Sequence, residues 1–425
     1  MTKKNNGQKK GRYYRRVLGK GIFVSNDTRE TGLNNNDLVI GSAGSAKTGS
    51  IVYAQLKSLK DSSLLVVDTK GMLHKMFKDE LINKKFDVKT LDFVNPNRSC
   101  IYNPLDYVGK TSGGAYKEAD IRKISNALIP DELDGREPFW AISARGVLEF
   151  FIAYTLCALP EEDHNMFTVS RLYRIFTGEN GEAGFIPWLE EHPDSFATSR
   201  YEMIKGMQTA EKTMSSIYAF INTALYPFDV SELHGVFDPN VKGAKHHLDL
   251  SELGKKKTVL FLNISDTDHS TDSLINLFYT QLLQTLTSVA DRSANNRLKV
   301  PVRVIMDDFA SGTRIPDFDK VISVVRSRDI WLTICIQSLS QLYSLYSRAE
   351  AITIINNCDH IIYLGGNDID SAEFIATRAG KTTETVLWMD RTREFFIEGG
   401  RPALLVDKIP AYSYKETEDG KEVTA

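Results

Sequence analysis

Seven short segments, residues 37–40, 64–68, 87–93, 258–264, 302–307, 331–336 and 360–364, are rich in β-branched and other apolar residues, and helical patterns separate them. Several of these runs are continuously apolar rather than alternating. A strand with apolar side chains on both faces must be covered on both, which is the situation inside a parallel sheet flanked by helices. The pattern predicts an α/β fold on a mostly parallel sheet. Between about 112 and 237 the strand signal lapses, and apolar residues recur at helical spacing, as in Phe150, Ile152, Tyr154, Leu156 and in Ile217, Phe220, Ile221, Leu225. We therefore expect an all-α insertion domain over 112–237, dividing the sheet-bearing domain into 21–111 and 238–411. A chain of 425 residues exceeds one ordinary core, which agrees with a two-part architecture.

The first of these strands runs into the most specific motif. Leu38-Val39-Ile40 is followed by Gly41-Ser42-Ala43-Gly44-Ser45-Ala46-Lys47-Thr48-Gly49 and then by a helical stretch. Small residues let backbone N–H groups close around a phosphate, and the next helix brings its positive end to the same point. This is the context of a Walker A loop. It nominates Gly41, Ser42, Ala43, Gly44, Ser45, Ala46, Lys47, Thr48 and Gly49 as ATP contacts, with Lys47 on the β- and γ-phosphates and Thr48 on Mg²⁺. One position departs from the pattern: Ala46 stands where glycine usually precedes the lysine, so the loop must use a helical φ there or carry strain. A plain Gly/Ser turn is the alternative reading.

A phosphate loop needs a carboxylate at the end of another strand. Val302-Arg303-Val304-Ile305-Met306-Asp307-Asp308 supplies an apolar run ending in two aspartates. Asp307 is the candidate Walker B acid and second Mg²⁺ ligand. Asp308 stands where motor ATPases commonly place a glutamate that orients the attacking water, one methylene shorter, which points to slow hydrolysis. Two aspartates after a strand also suit a helix N-cap. Gln337 follows the strand at 331–336 and is placed to sense a γ-phosphate, because ligands of open α/β sheets bind at the carboxyl ends of the strands. Arg326 and Arg328 are candidate arginine fingers toward a neighbouring subunit. By themselves they read equally as solvated helix arginines.

Composition excludes other classes. The net charge of −3 gives no whole-chain case for a nucleic-acid partner. Charge is instead concentrated locally: residues 1–20 carry Lys3, Lys4, Lys9, Lys10, Arg12, Arg15, Arg16 and Lys20 without an acidic residue, a basic arm suited to DNA or anionic lipid or else a solvated terminus. The four cysteines, Cys100, Cys157, Cys335 and Cys358, form no CxxC pair and read as reduced, cytosolic core residues. The longest apolar run, 150–159, is short of the ~20 residues a membrane span needs. From Tyr412 the chain turns polar and acidic, and a frayed tail over 412–425 is expected.

Taken as an ordered series, the motifs resemble those of the type IV coupling proteins, the conjugative ATPases that hand DNA or effectors to a type IV secretion channel. The resemblance is carried by Val66-Val67-Asp68-Thr69-Lys70-Gly71, Tyr102-Asn103-Pro104-Leu105, Pro138-Phe139-Trp140, Asp307-Asp308-Phe309-Ala310, Ile315-Pro316-Asp317-Phe318, Arg326-Ser327-Arg328, Gln337-Ser338-Leu339, Asn357-Cys358-Asp359 and Leu364-Gly365-Gly366-Asn367-Asp368. It implies a RecA-like P-loop domain interrupted by an all-α domain, ATP and Mg²⁺ as cofactors, and a homo-hexameric ring with ATP between subunits. It implies as partners DNA bound without sequence specificity, a relaxase or secretion substrate, and the ATPases of the secretion channel. This chain departs from the family at Ala46, at Asp308, and at Met72, where Asp-Pro-Lys-Gly-Glu becomes Asp68-Thr69-Lys70-Gly71-Met72. The family's N-terminal membrane anchor is missing ahead of the loop, so we expect either a cytoplasmic protein recruited to the inner face of the membrane by an anchor in trans or a chain trimmed of its anchor. Two other readings stay open: a nucleotide-gated docking adaptor that scarcely hydrolyses ATP, and a DNA translocase of the FtsK/HerA type with no secretion role.

Overall fold

A computed structural model of the chain describes residues 15–130, 138–179, 181–208, 211–238, 246–265, 267–309 and 314–415. Eleven strands occur among them: β1 (Arg15–Gly19), β2 (Ile22–Ser25), β3 (Asp37–Ile40), β4 (Ser63–Val67), β5 (Asp87–Asp92), β6 (Thr258–Asn263), β7 (Val302–Met306), β8 (Ile330–Ile336), β9 (His360–Tyr363), β10 (Arg393–Glu398) and β11 (Leu404–Asp407). Nine of them form one sheet in the order β11-β10-β9-β3-β8-β7-β4-β6-β5, while β1 and β2 pair as a hairpin. From β9 to β5 every pairing is parallel, and β10 alone is reversed, pairing antiparallel with both β9 and β11. The expected mostly parallel α/β sheet is what forms.

The continuous apolar runs serve both faces. In β3 and β4, Val39, Leu64 and Val66 pack into one layer with Ile51, Leu56 and Phe77 from the following helices. Their neighbours Leu38, Ile40, Leu65 and Val67 point the other way, into a larger cluster that continues through the helical block. Alternation by side is the period-2 geometry of a strand, and coverage on both sides is why no polar position interrupts these runs. The edge strand β11 is the exception, with Leu404 and Leu405 exposed.

Between β5 and β6 the chain is helical, with the segments Glu118–Leu128, Pro138–Ala158, Met166–Phe176, Ile186–Glu191, Phe196–Met207 and Glu211–Asp229. The long helix Pro138–Ala158 is its centre. Phe150 lies against Phe176, Phe185 and Tyr201, and Phe151 against Tyr173, each with ring centroids within 5.8 Å. By length and composition Phe139–Ala158 could cross a membrane, but 78% of its apolar window is buried inside the protein. Such a sheath of aromatic and aliphatic partners is that of a core helix.

At the amino ends of the central strands lies a buried polar network. Arg16 Nη2 and Arg303 Nη1 each donate to Asp37 at 2.8 Å, Thr333 Oγ1 donates to it at 3.0 Å, and Arg16 Nη2 approaches His360 Nδ1 at 2.9 Å. Burial alone would raise the Asp37 carboxyl, yet the two guanidiniums outweigh it and hold it below the usual carboxylate range. His360 is pulled down to about 4 by burial and by Arg16, so it is neutral. The basic arm expected over residues 1–20 is thus corrected in its last part: Arg15–Gly19 is a strand, and Arg16 is 3% exposed in this network. Residues 1–14 lie outside the described residues.

The expected frayed tail also begins too early. Tyr414 is buried with Val17, Ala54 and Ile409, and Tyr412 N donates to Gly49 O at 2.9 Å. Residues 416–425 lie outside the described residues.

Candidate functional site

The loop after β3 is held by the strands beside it. Gly41 N donates to Ile336 O at 3.1 Å, Ser42 N to Gly365 O at 3.0 Å, and Leu364 N to Ile40 O at 2.7 Å. The loop therefore rises between the carboxyl ends of β8 and β9, where open α/β sheets bind ligands. Gly41 is required by closeness, since a Cβ there would lie 2.4 Å from Ser45 Oγ and 2.9 Å from Leu364 Cβ. Gly44 and Ala46 both take positive φ, 75° and 71°. Of the two courses open at Ala46, the chain takes the strained one, which for a residue with a Cβ costs about 1–2 kcal/mol. Residues Lys47–Val52 then form a π-helical turn that continues as the α-helix Tyr53–Lys57.

The side chains of the loop converge with those of β7 and β8. Lys47 is 8% exposed, and its Nζ donates to Gly41 O at 2.7 Å while lying 3.9 Å from Asp308 Oδ1. Thr48 Oγ1 donates to Asp307 Oδ2 at 2.6 Å. Burial raises the Asp307 carboxyl above the usual range, and the adjacent Asp308 adds to this; the Thr48 hydroxyl and Lys47 oppose it. Asp308 has φ 51°, and its carboxylate accepts from Gln337 Nε2 at 3.4 Å. Across the cleft, Asp68 at the end of β4 accepts from Leu73 N at 3.1 Å and His74 N at 2.8 Å, which fixes the first turn of the helix Met72–Asn83.

These groups border a cleft of about 320 Å³ that also includes Thr69, Lys70, Met72, Ala411 and Tyr412. Its volume lies at the lower end of the range of small-molecule sites. Within the loop the Ser45 hydroxyl is buried without a hydrogen-bond partner. An orphaned buried hydroxyl in a loop with left-handed residues at Gly44 and Ala46 fits an anionic ligand. Thr48 Oγ1 and the Asp307 carboxylate are hard oxygen donors suited to Mg²⁺. Among the described residues no group of three or more His, Cys, Asp or Glu could hold a metal, so a cation here would complete its shell from phosphate and water.

The structure thus brings Lys47, Thr48, Asp307, Asp308 and Gln337 together on the loop Gly41–Gly49. It does not bring Arg326 and Arg328 to them. Both sit ahead of β8, at the opposite end of a strand about 23 Å long. There Arg328 Nε pairs with Asp291 at 2.7 Å, and Arg326 is exposed and reaches Gly32 O at 3.5 Å. Sequence reasoning missed the strap 408–412, although it touches the loop at several points. Lys408 Nζ donates to Leu364 O at 2.6 Å, Ser50 Oγ donates to Ile409 O at 2.6 Å, and a Cβ on Gly49 would meet Ala411 Cβ at 2.8 Å. No periodicity links residues so distant in the chain.

Comparison with known proteins gives a family and a fold. Residues 1–394 match the profile of a family described as type IV secretory system conjugative DNA transfer. A search of curated proteins finds no match. Among solved structures, the plasmid coupling protein TrwB in complex with the non-hydrolysable ATP analogue ADPNP superposes with a TM-score of 0.68 at 13% identity, covering 94% of this chain and 89% of that one. TrwB in complex with ADP and Mg²⁺ gives 0.61 at 13% identity, covering 94% and 90%. VirB4 of Thermoanaerobacter pseudethanolicus gives 0.55 at 13% identity, covering 94% and 97%. At this identity the likeness is one of fold.

Proposed function

Since the chain belongs to the type IV secretory system conjugative DNA transfer family, we propose that it is the coupling ATPase of such a system, using ATP and Mg²⁺ to deliver DNA with its relaxase, or a protein substrate, to the secretion channel. The observation that carries this is the convergence of Lys47, Thr48, Asp307, Asp308 and Gln337 on one loop. Lys47 gives up its contact with Gly41 O to hold the β- and γ-phosphates, and Thr48 and Asp307 hold the cation. Mg²⁺ supplies charge neutralisation at the phosphates when bound. Asp308, held by Gln337 and close to Lys47, orients the attacking water and accepts its proton, and Gln337 reports the terminal phosphate to β8. The TrwB structures with ADPNP and with ADP and Mg²⁺ support the choice of ligand.

Arg326 and Arg328 lie far from the site within one chain, so in this reading they act only on the nucleotide of a neighbouring subunit, in a homo-hexameric ring. Channel ATPases are the remaining partners, with the protein working at the inner face of the membrane. The test is phosphate release by the assembled protein with and without single-stranded DNA. DNA should accelerate release by the native chain, and Lys47→Ala should abolish it. Native turnover no higher than that of Lys47→Ala would overturn the proposal.

One observation favours a second reading, a nucleotide-gated docking adaptor. Asp308 is short and sits on a left-handed backbone, with its carboxylate tied between Lys47 and Gln337. Calorimetry showing tight nucleotide binding without turnover would select the adaptor, and recovery of turnover in Asp308→Glu would identify the missing methylene as the cause.

A further inference from the structure

A nucleotide has a second half, and the cleft has a second end. The groups that would face a terminal phosphate, Lys47, Asp308 and Gln337, cluster at one boundary. The nucleoside then belongs at the other boundary, past Thr48, where the strap crosses the loop at Gly49. There Tyr412 stands, 41% exposed and lining the same cleft. We propose that Tyr412 is the stacking wall that receives the purine ring of the nucleoside triphosphate. This inference rests on the phosphate-loop reading and adds the residue that recognises the base.

Three observations carry it. Tyr412 has φ 59°, a conformation that a bulky L residue adopts only when its surroundings impose it. Its surroundings do impose it: Tyr412 N donates to Gly49 O at 2.9 Å, Ser413 N to Pro410 O at 3.1 Å, and Tyr414 is buried beyond. The ring is also oriented rather than packed away. It meets Tyr53 edge-on, with centroids 5.7 Å apart and planes at 85°, an arrangement that does not cover both faces of the Tyr412 ring. An aromatic face fixed on a rigid strap beside a phosphate loop suits a flat heterocycle. Stacking does not read hydrogen-bonding edges, so the wall accepts adenine and guanine alike.

The experiment compares the nucleotide with its phosphates alone. MgATP and Mg-tripolyphosphate are titrated by calorimetry into the full chain and into Tyr412→Ala, Tyr412→Gly, Tyr412→Phe and Lys47→Ala. Tyr412→Gly accommodates the positive φ without steric cost and guards against a folding defect. The expected result is MgATP affinity about tenfold weaker in the Ala and Gly variants, close to native in Phe, and tripolyphosphate affinity unchanged in all three. If ATP affinity does not fall in the Ala and Gly variants, or if both ligands weaken together, Tyr412 is a support of the strap and the inference is wrong. Lys47→Ala separates the two levels: it must weaken both ligands, and failure to do so would instead refute the phosphate-loop reading.

Discussion

The same central strands carry two polar centres, one at each end, and these are built to opposite rules. At the amino ends, Arg16, Asp37, Arg303 and Thr333 are each under 5% exposed and satisfy one another. At the carboxyl ends, Lys47, Thr48, Asp307 and Asp308 border a cleft, Ser45 Oγ lacks a partner, and three residues other than glycine, Ala46, Asp308 and Tyr412, hold positive φ. The closed end spends its charges on one another. The open end keeps strain at Ala46 and Tyr412 and an unmet Ser45 hydroxyl beside a cleft, which a ligand relieves, whereas the unmet atom of the closed end, His360 Nε2, is wholly buried. Positive φ is not by itself the mark of the open end, since Asp329 near the amino ends has φ 61°. Aspartate tolerates that conformation, and its carboxylate there accepts from Arg297 at 2.9 Å.

The contrast can be broken from either end. Asp37→Ala strands two buried guanidiniums and should lower stability by about 3–5 kcal/mol, read by urea or thermal unfolding. A loss under 1 kcal/mol would show that the closed end is not what fixes the hairpin β1-β2 to the sheet. At the open end, Asp308→Asn should leave nucleotide affinity near native while slowing turnover about a hundredfold, the size expected for a lost general base. Equal turnover would remove Asp308 from the chemistry.

The raised Asp307 carboxyl sharpens the contrast through pH. Cation binding needs the carboxylate, so MgATP affinity should fall by about tenfold per unit once pH drops below the Asp307 pKa, starting above the ordinary carboxylate range. The sign for the free protein is opposite. A carboxyl whose pKa is higher folded than unfolded favours the folded state as pH falls through the folded value, so this group makes the unliganded chain more stable while binding weakens. Asp307→Asn should remove both trends. The smallest effect is Ala46→Gly, which frees the loop of a left-handed Cβ and should raise stability by about 1 kcal/mol in the unliganded protein, against the usual cost of glycine. Destabilisation would mean that Ala46 is not strained.

The interior of the fold was legible because burial on both faces leaves an unbroken apolar run. Residues 330–336, IWLTICI, announce a central strand. The strands β1 and β11 gave no such signal. Arg15–Gly19 opens on two arginines, and Arg16 is buried because Asp37, 21 residues on, lies opposite. Leu404–Asp407 sits at an edge and needs no apolar pattern. Local order made the phosphate loop readable, since strand, small residues, Lys47 and Thr48 are contiguous. Asp307 was readable from an apolar strand ending in carboxylates. What could not be read was whatever depends on distant segments meeting: the φ at Ala46, the tie of Gln337 to Asp308, and Tyr412, which a polar surrounding sequence disguised as a tail.

The contrast between the two ends depends on the open end of the sheet being a nucleotide site. Equilibrium titration of MgATP into the native chain, Lys47→Ala and Asp307→Asn, at one pH and one protein concentration, tests it most directly. Saturable binding by the native chain is expected, with a loss of about a hundredfold or more in Lys47→Ala and loss of the Mg²⁺ dependence in Asp307→Asn. Native and Lys47→Ala isotherms that coincide would contradict it.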